Sequence, residues 1–473
     1  MRAPGRAQAA ALSLSRDAGG PQAALSLLAL RLAEPAGFLP TGTCAALARL
    51  PEGELPKAVA ARARALRALT GGALPPWPLR LSPTAAAARR ASELFAAAAP
   101  APEELCFTSE ALHSAALGST GRRRVGLYYT PPGVAEQVVA LALAHGSIPR
   151  RALPTVTDPC AGAGIFLAAA ARALAPRGGR VEAALRCSGA DLDPAALRVA
   201  RASLALCAGP AAAPRALAAL QLERRDSLRA RGEEADLLVS NPPYGHLDDP
   251  RERAFLARAL PALRGGEIDR YAAFLLRSLE LVREGGTAAL LVPDTWMTNA
   301  RAGGLRTAVL GKAEIAAVAD LGKPFAAAKD TRVQAVVLVR RRDGVPRPRS
   351  TFAARAEGTR LVVLEPLLEA RLRESAAAGW QPYRSHGESA LCVALEAASV
   401  PLREVCQVGY GLRTGNNPLH VERASARPGE IALCGGADVV PFALRPSEKR
   451  LAHPTPALLA LAERQLGRER IAV

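Results

Sequence analysis

Residues 235–244 read Ala-Asp-Leu-Leu-Val-Ser-Asn-Pro-Pro-Tyr. The first part is a mostly apolar run of strand length, and the second part cannot continue it. Neither proline can donate to a sheet ladder, and both fix φ. The chain must therefore leave the strand as a stiff, extended turn at the C-terminal edge of a sheet. That turn presents an amide at Asn241, a carbonyl at Pro242, the second ring of Pro243 and an aromatic face at Tyr244. Such a set suits a planar substrate with an exocyclic amino group. The Asn241 side-chain oxygen and the Pro242 carbonyl would accept the two amino hydrogens, and Tyr244 would stack on the plane. Behind two prolines, the Tyr244 ring is not expected to turn inward. A strand followed by an ordinary proline turn has the same letters, so the neighbouring segments decide between the two readings.

Upstream, residues 156–167 read as strand, tight glycine loop and helix: Val-Thr-Asp-Pro-Cys-Ala-Gly-Ala-Gly-Ile-Phe-Leu. Gly162 and Gly164 let the backbone approach a ligand, and the helix that follows offers free N–H groups. The third glycine of the dinucleotide fingerprint is replaced by Leu167, which disfavours an NAD site. Asp191 ends the next strand-like stretch, where a carboxylate can take both hydroxyls of a ribose. Asp226 and Ser227 end a third, and an acid there can accept from an adenine amino group. Each acid alone reads equally well as a helix cap or a solvated turn. Four consecutive strand ends that all carry ligand-type groups point to one site.

This order resembles the class I S-adenosylmethionine-dependent methyltransferases, and within them the amino-methylating DNA enzymes of the TaqI and Eco57I type. The resemblance covers about 121–342. It rests on Asp158 to Leu167 for the glycine loop, Asp191, Asp226, the Asn241 to Tyr244 motif, and a preceding Tyr128-Tyr129-Thr130-Pro131. It also includes Asp269-Arg270-Tyr271, Gly285-Gly286 leading to Pro293, and a closing strand pair at 315–321 and 333–339. The implied fold is α/β, a Rossmann-like seven-stranded methyltransferase sheet with helices on both faces. The implied cofactor is S-adenosylmethionine, held by Thr130, Pro131, Asp158, Cys160, Gly162, Gly164, Asp191, Asp226 and Ser227. The implied reaction is site-specific methyl transfer to the N6 amino group of an adenine flipped out of double-stranded DNA, touched by Tyr244 and Phe325. Asn rather than Ser at 241 favours adenine over cytosine N4. Residues 408–417 resemble the start of a recognition domain and offer Arg413, Thr414, Asn416 and Asn417 as base-reading groups. The family usually has a Tyr-Glu pair before the Tyr-Tyr-Thr-Pro motif; Ser109-Glu110 stands there instead.

The resulting layout is an Ala/Leu/Arg-rich helical region at 1–120, a catalytic domain at 121–345, a linker at 346–394 and a small target-recognition domain at 395–473. The run from Arg340 to Arg349 reads as a basic turn, either a solvated loop or a phosphate-contacting strap. A formal charge of +18 suits a polyanionic partner. Eight cysteines without a CxxC pair argue for a reducing cytoplasm and against structural zinc. No apolar run approaches ~18 residues, so no membrane span is expected, and the six histidines show no metal spacing. Lys57 is the only lysine before Lys312, which disfavours a fused nuclease in the N-terminal region. A cognate restriction endonuclease as a separate partner stays open. So do two other functions: a protein-glutamine or RNA methyltransferase with the same amide chemistry, and a catalytically silent DNA-binding specificity subunit.

Overall fold

The computed structural model describes residues 20–74, 85–96, 102–110, 130–264 except 231, 246 and 248, 269–325, 331–342, 350–357, and shorter stretches thereafter up to 456. The chain divides into two compact units, Met1–Ser385 and His386–Val473.

The first unit is built on one sheet. Its strands are β1 (Val156–Asp158), β2 (Cys187–Asp191), β3 (Leu222–Arg224), β4 (Ala235–Ser240), β5 (Val282–Pro293), β6 (Ala313–Gly322), β7 (Val333–Arg340), β8 (Ser350–Glu357), β9 (Arg360–Val363) and β10 (Leu367–Leu368). They lie in the order β10-β8-β6-β7-β5-β4-β1-β2-β3, with β9 beside β8. The run β3-β2-β1-β4-β5 is parallel. β7 is antiparallel to both β5 and β6. This is the α/β class expected from the sequence. Strands β4, β6 and β7 are buried at nearly every position rather than at alternate ones, the pattern of strands covered on both faces.

The sheet has ten strands, not seven. The seven expected strands form the run from β3 to β6, and β8, β9 and β10 extend it. Strands Ser350–Glu357, Arg360–Val363 and Leu367–Leu368 fall in the stretch read from sequence as a linker over 346–394, and they belong to the sheet. β8 runs parallel to β6, and the Thr351 hydroxyl donates to the Ile315 carbonyl at 2.6 Å. The arginines at the start of the basic run are also absorbed. Arg340 donates to the Val282 carbonyl at 2.6 Å and to Glu234 at 3.0 Å, and Arg342 donates to the Glu284 carbonyl at 3.4 Å. They tie the end of β7 to its neighbours; 343–349 lie outside the described residues.

Helices α1 (Gly20–Ala33), α2 (Pro132–His145), α3 (Ile165–Gly178), α4 (Pro194–Ala208) and α5 (Arg270–Leu281) share one continuous apolar core with the sheet. Leu27, Leu28 and Leu30 of α1 are wholly buried in it, so α1 packs into the same core as the sheet. Strand order turns between β1 and β4, and the crevice beyond the C-terminal strand ends at such a reversal is where open α/β sheets bind ligands.

In the second unit the described residues include the helix His386–Ala397 and two short antiparallel pairs, Val421–Glu422 with Arg450–Leu451 and Val439–Val440 with Ala443–Leu444. Arg413, Thr414, Asn416 and Asn417 lie outside the described residues, as do Tyr128 and Tyr129.

Candidate active site

One cleft of about 700 Å³ opens at the strand ends. The loop between β1 and α3 forms its floor. Gly162 and Gly164 both have positive φ, 51° and 86°. A Cβ on Gly164 would fall 2.6 Å from the Ala200 Cβ, so glycine is needed for α3 to pack against α4. Asp158, Cys160, Gly162, Asp191, Asp226, Ser227, Thr130, Asn241, Pro242 and Pro243 all line this one cleft. Segments more than 100 residues apart in sequence are thus brought together. Gly164 and Pro131 stand behind it as backbone supports: Gly164 precedes α3 and Pro131 precedes α2.

The carboxylates hold the loops as well as lining the cleft. Asp191 accepts from the Gly162 amide at 2.8 Å and from the Asp193 amide at 2.9 Å. Its carboxyl is raised above the usual range by burial. Asp158 accepts from the Cys160 amide at 3.0 Å and from the Ser240 hydroxyl at 2.7 Å. Burial pushes it up to about 7 despite those bonds. The Ser240 contact joins the end of β1 to the end of β4, one residue before Asn241. Asp226 accepts from the Leu228 amide at 3.0 Å and pairs with Arg229 at 3.3 Å. The Cys160 thiol is pushed well up by burial, which keeps it protonated and unreactive.

Asn241 donates from Nδ2 to the Thr130 hydroxyl at 3.0 Å. This bond fixes which end of the amide is the acceptor. Tyr244 differs from expectation. The ring is turned inward and only 5% exposed, its hydroxyl donating to the Leu291 carbonyl at 3.1 Å. It packs edge-on to Tyr271 at 6.4 Å and beside Phe325 at 6.3 Å. The prolines fix the backbone, but a hydroxyl that finds a buried acceptor and two aromatic neighbours makes burial favourable. Phe325 is likewise buried; neither ring lines the cleft.

Sequence reasoning missed part of the wall. Pro21, Gln22 and Leu25 from the start of α1 line the cleft, as do Ser109 and Glu110 at the end of the helical segment 103–110. Glu110 Oε2 is buried with no hydrogen-bond partner among the described residues. Its Oε1 lies 3.3 Å from where a Gly162 Cβ would be. Burial carries this carboxyl up to about 8, with the Asp191 and Asp158 charges adding to the rise and the Ala163 and Thr130 amides opposing it.

A nucleoside carrying a charged amino-acid tail fits this donor set. Carboxylates at two strand ends suit hydroxyls and an amino group, the glycine loop leaves room for close approach, and a buried acidic oxygen awaits a donor. Among the described residues there is no group of three side chains suited to a metal ion, and no helix is long and apolar enough to cross a membrane.

Comparison with known proteins agrees with this geometry. The chain is 27% identical over 219 residues to the type II methyltransferase M.TthHB8I of Thermus thermophilus, covering 44% of this chain and 48% of that protein. It is 29% identical over 220 residues to the type II methyltransferase M.PaeR7I of Pseudomonas aeruginosa, covering 42% and 38%. The match thus spans less than half the length of either relative. The solved type IIG restriction endonuclease BpuSI superposes with a TM-score of 0.54 at 14% identity, over 96% of this chain and 58% of that one, a likeness of fold. The N-6 DNA Methylase family model matches residues 115–358. These residues make up more than half of the sequence, and the chain belongs to that family.

Proposed function

We propose that this chain is an S-adenosylmethionine-dependent DNA methyltransferase of the restriction-modification type, acting on the N6 amino group of adenine. The observation that carries the reading is the cleft. Its nucleoside-type acceptors, Asp191 and Asp226, and the Asn241-Pro242 amide pair open into one space. When bound, S-adenosylmethionine supplies an electrophilic methyl group. The chain's own residues do the rest.

The Asn241 Oδ1 and the Pro242 carbonyl accept the two amino hydrogens of the base. An adenine amino nitrogen is a poor nucleophile because its lone pair is delocalised into the ring. Two acceptors draw it towards tetrahedral geometry and disperse the positive charge that develops on it, which stabilises the transition state. Thr130 holds the Asn241 amide in register. Asp191 and the Gly162 backbone, bonded to each other, orient the nucleoside so that the reacting atoms meet in line. Tyr244 is buried against Tyr271 and Phe325, so stacking on an extruded base requires one face of Tyr244 to be uncovered. Base extrusion costs a few kcal/mol, which that stacking would partly offset.

We assign double-stranded DNA as the partner, with base reading in the second unit, where Arg413, Thr414, Asn416 and Asn417 are the candidate readers. The test is transfer of a labelled methyl group to duplex DNA, RNA and protein in parallel. DNA alone should be labelled, and Asn241→Ala should cut the rate by ~10²–10³ with nucleoside binding retained. Labelling of RNA or protein instead, or wild-type turnover by the variant, would refute the assignment.

A further inference from the structure

We propose that Glu110 is the counter-ion for the α-ammonium group at the amino-acid end of the cofactor. This rests on the cofactor reading above and adds a binding residue to it.

The position of Glu110 is built, not incidental. The helical segment 103–110 is pinned at two points on one face. Glu103, wholly buried, takes two bonds from Arg172 of α3 at 2.7 and 2.8 Å. One turn on, the Cys106 thiol donates to the Ser203 hydroxyl of α4 at 3.0 Å. Residues 103, 106 and 110 fall on one stripe of a helix, so the two anchors aim Glu110 at the glycine loop. There its Oε1 sits close to Gly162, and any side chain at that loop position would press on the carboxylate.

The surroundings of Glu110 make an isolated anion costly. Among the described residues the charged groups that act on it most are Asp191 and Asp158, both acidic, at the ends of β2 and β1, with the Ala163 and Thr130 amides opposing them. Its second oxygen is buried with no partner among the described residues. A buried carboxylate beside two others is stabilised when a cation with several donors joins them. An ammonium group carries three donors and no acceptor. Along the strand order β4-β1-β2-β3 the same cleft runs from Glu110, at the loop after β1, past Asp191 to Leu192 and to Asp226 after β3, groups suited to ribose and base. The Glu110 end therefore meets the tail of a ligand whose nucleoside is held there, and the tail of S-adenosylmethionine carries such an ammonium.

Two ligands separate the ends. S-adenosylhomocysteine has the ammonium, and 5′-methylthioadenosine has the nucleoside without the amino-acid tail. Each is titrated calorimetrically into the full chain and into Glu110→Gln, without DNA. Loss of one hydrogen bond to a charged group corresponds to roughly 10- to 100-fold in affinity. S-adenosylhomocysteine should weaken by about that factor, while 5′-methylthioadenosine stays within about twofold. Equal affinity of both proteins for S-adenosylhomocysteine overturns the assignment of Glu110 and leaves the cofactor reading standing. A wild-type chain that binds neither ligand overturns both. If the variant loses both ligands, the wild type alone decides. The ratio of its S-adenosylhomocysteine to 5′-methylthioadenosine affinities should rise from pH 6 to pH 8 as Glu110, facing Asp158 and Asp191, takes its charge more readily. A ratio that does not change with pH overturns the proposal.

Discussion

Glu110→Gln should stabilise the ligand-free chain, and by more as pH rises. Burial first, then the Asp191 and Asp158 charges, hold the Glu110 carboxyl at about 8 against an ordinary 4.5, while the Ala163 and Thr130 amides pull the other way. In the unfolded chain the same group titrates at the ordinary value. Between the two values the folded chain holds a proton that the unfolded chain has released. Stability therefore declines as pH rises through that window and is lowest above the folded value. At about 1.36 kcal/mol per pKa unit, the whole span is on the order of 5 kcal/mol. The Gln amide is itself a buried polar group short of partners, so the recovered share should be about 2–4 kcal/mol above pH 8 and close to nothing near pH 4.5. For a folded unit of several hundred residues this is a rise in Tm of roughly 3–6 °C. Differential scanning calorimetry of both proteins from pH 5 to 9, with no nucleoside present, reads it directly. A Tm difference that does not vary with pH, or one that favours the wild type at alkaline pH, would refute the argument that burial of this carboxylate is costly. The substitution that weakens the cofactor's hold should thus strengthen the empty fold, the trade expected of a binding site.

Asp191→Ala should weaken S-adenosylhomocysteine binding by roughly 1.5–3 kcal/mol. The loss includes loosening of the glycine loop, since the carboxylate also holds the Gly162 amide; an unchanged calorimetric Kd would reduce Asp191 to a loop anchor. Removing the second unit, 386–473, should abolish methylation of a defined DNA site while nucleoside binding persists. A truncated chain that still modified one sequence would move base recognition into the first unit.

The strand ends were legible in the sequence because each carries its own punctuation. Prolines stop β4, paired glycines follow β1, and single acids close β2 and the turn after β3. Such signals are local, and the cleft assembled from them contains Thr130, Asp158, Asp191, Asp226 and Asn241 together. What was not legible depended on distant partners. Tyr244 turns inward because a carbonyl 47 residues away accepts its hydroxyl, and nothing near position 244 announces that. Pro21 and Gln22 reach the cleft only because the leucines of α1 dock on a core made later in the chain. Glu110 had a readable trace. Glu103, Cys106, Phe107 and Glu110 follow the i, i+3, i+4, i+7 spacing, a helical stripe with an acid at each end of an otherwise apolar face. Acids at both ends of a buried face require partners, and here one end has Arg172 while the other opens on the cleft. Strands β8 to β10 were missed because the arginine-rich run of letters at 340–349 reads like the end of a domain.

The antiparallel strand β7 has a consequence for how the chain is made. It is inserted between β5 and β6, and β5 pairs with it from Thr287 to Pro293. β4 and β5 meet as soon as residue 293 has left the ribosome, but the far edge of β5 has no neighbour until 333–340 emerge. At ordinary rates of synthesis that interval is a few seconds. Throughout it, a wholly buried run, Ala288 to Val292, stands as an open sheet edge, the kind of surface that templates aggregation. A nascent chain stalled between 294 and 332 should therefore be a client for holding chaperones, and release should follow completion of β7 rather than of the cofactor cleft, whose strand ends are all synthesised earlier.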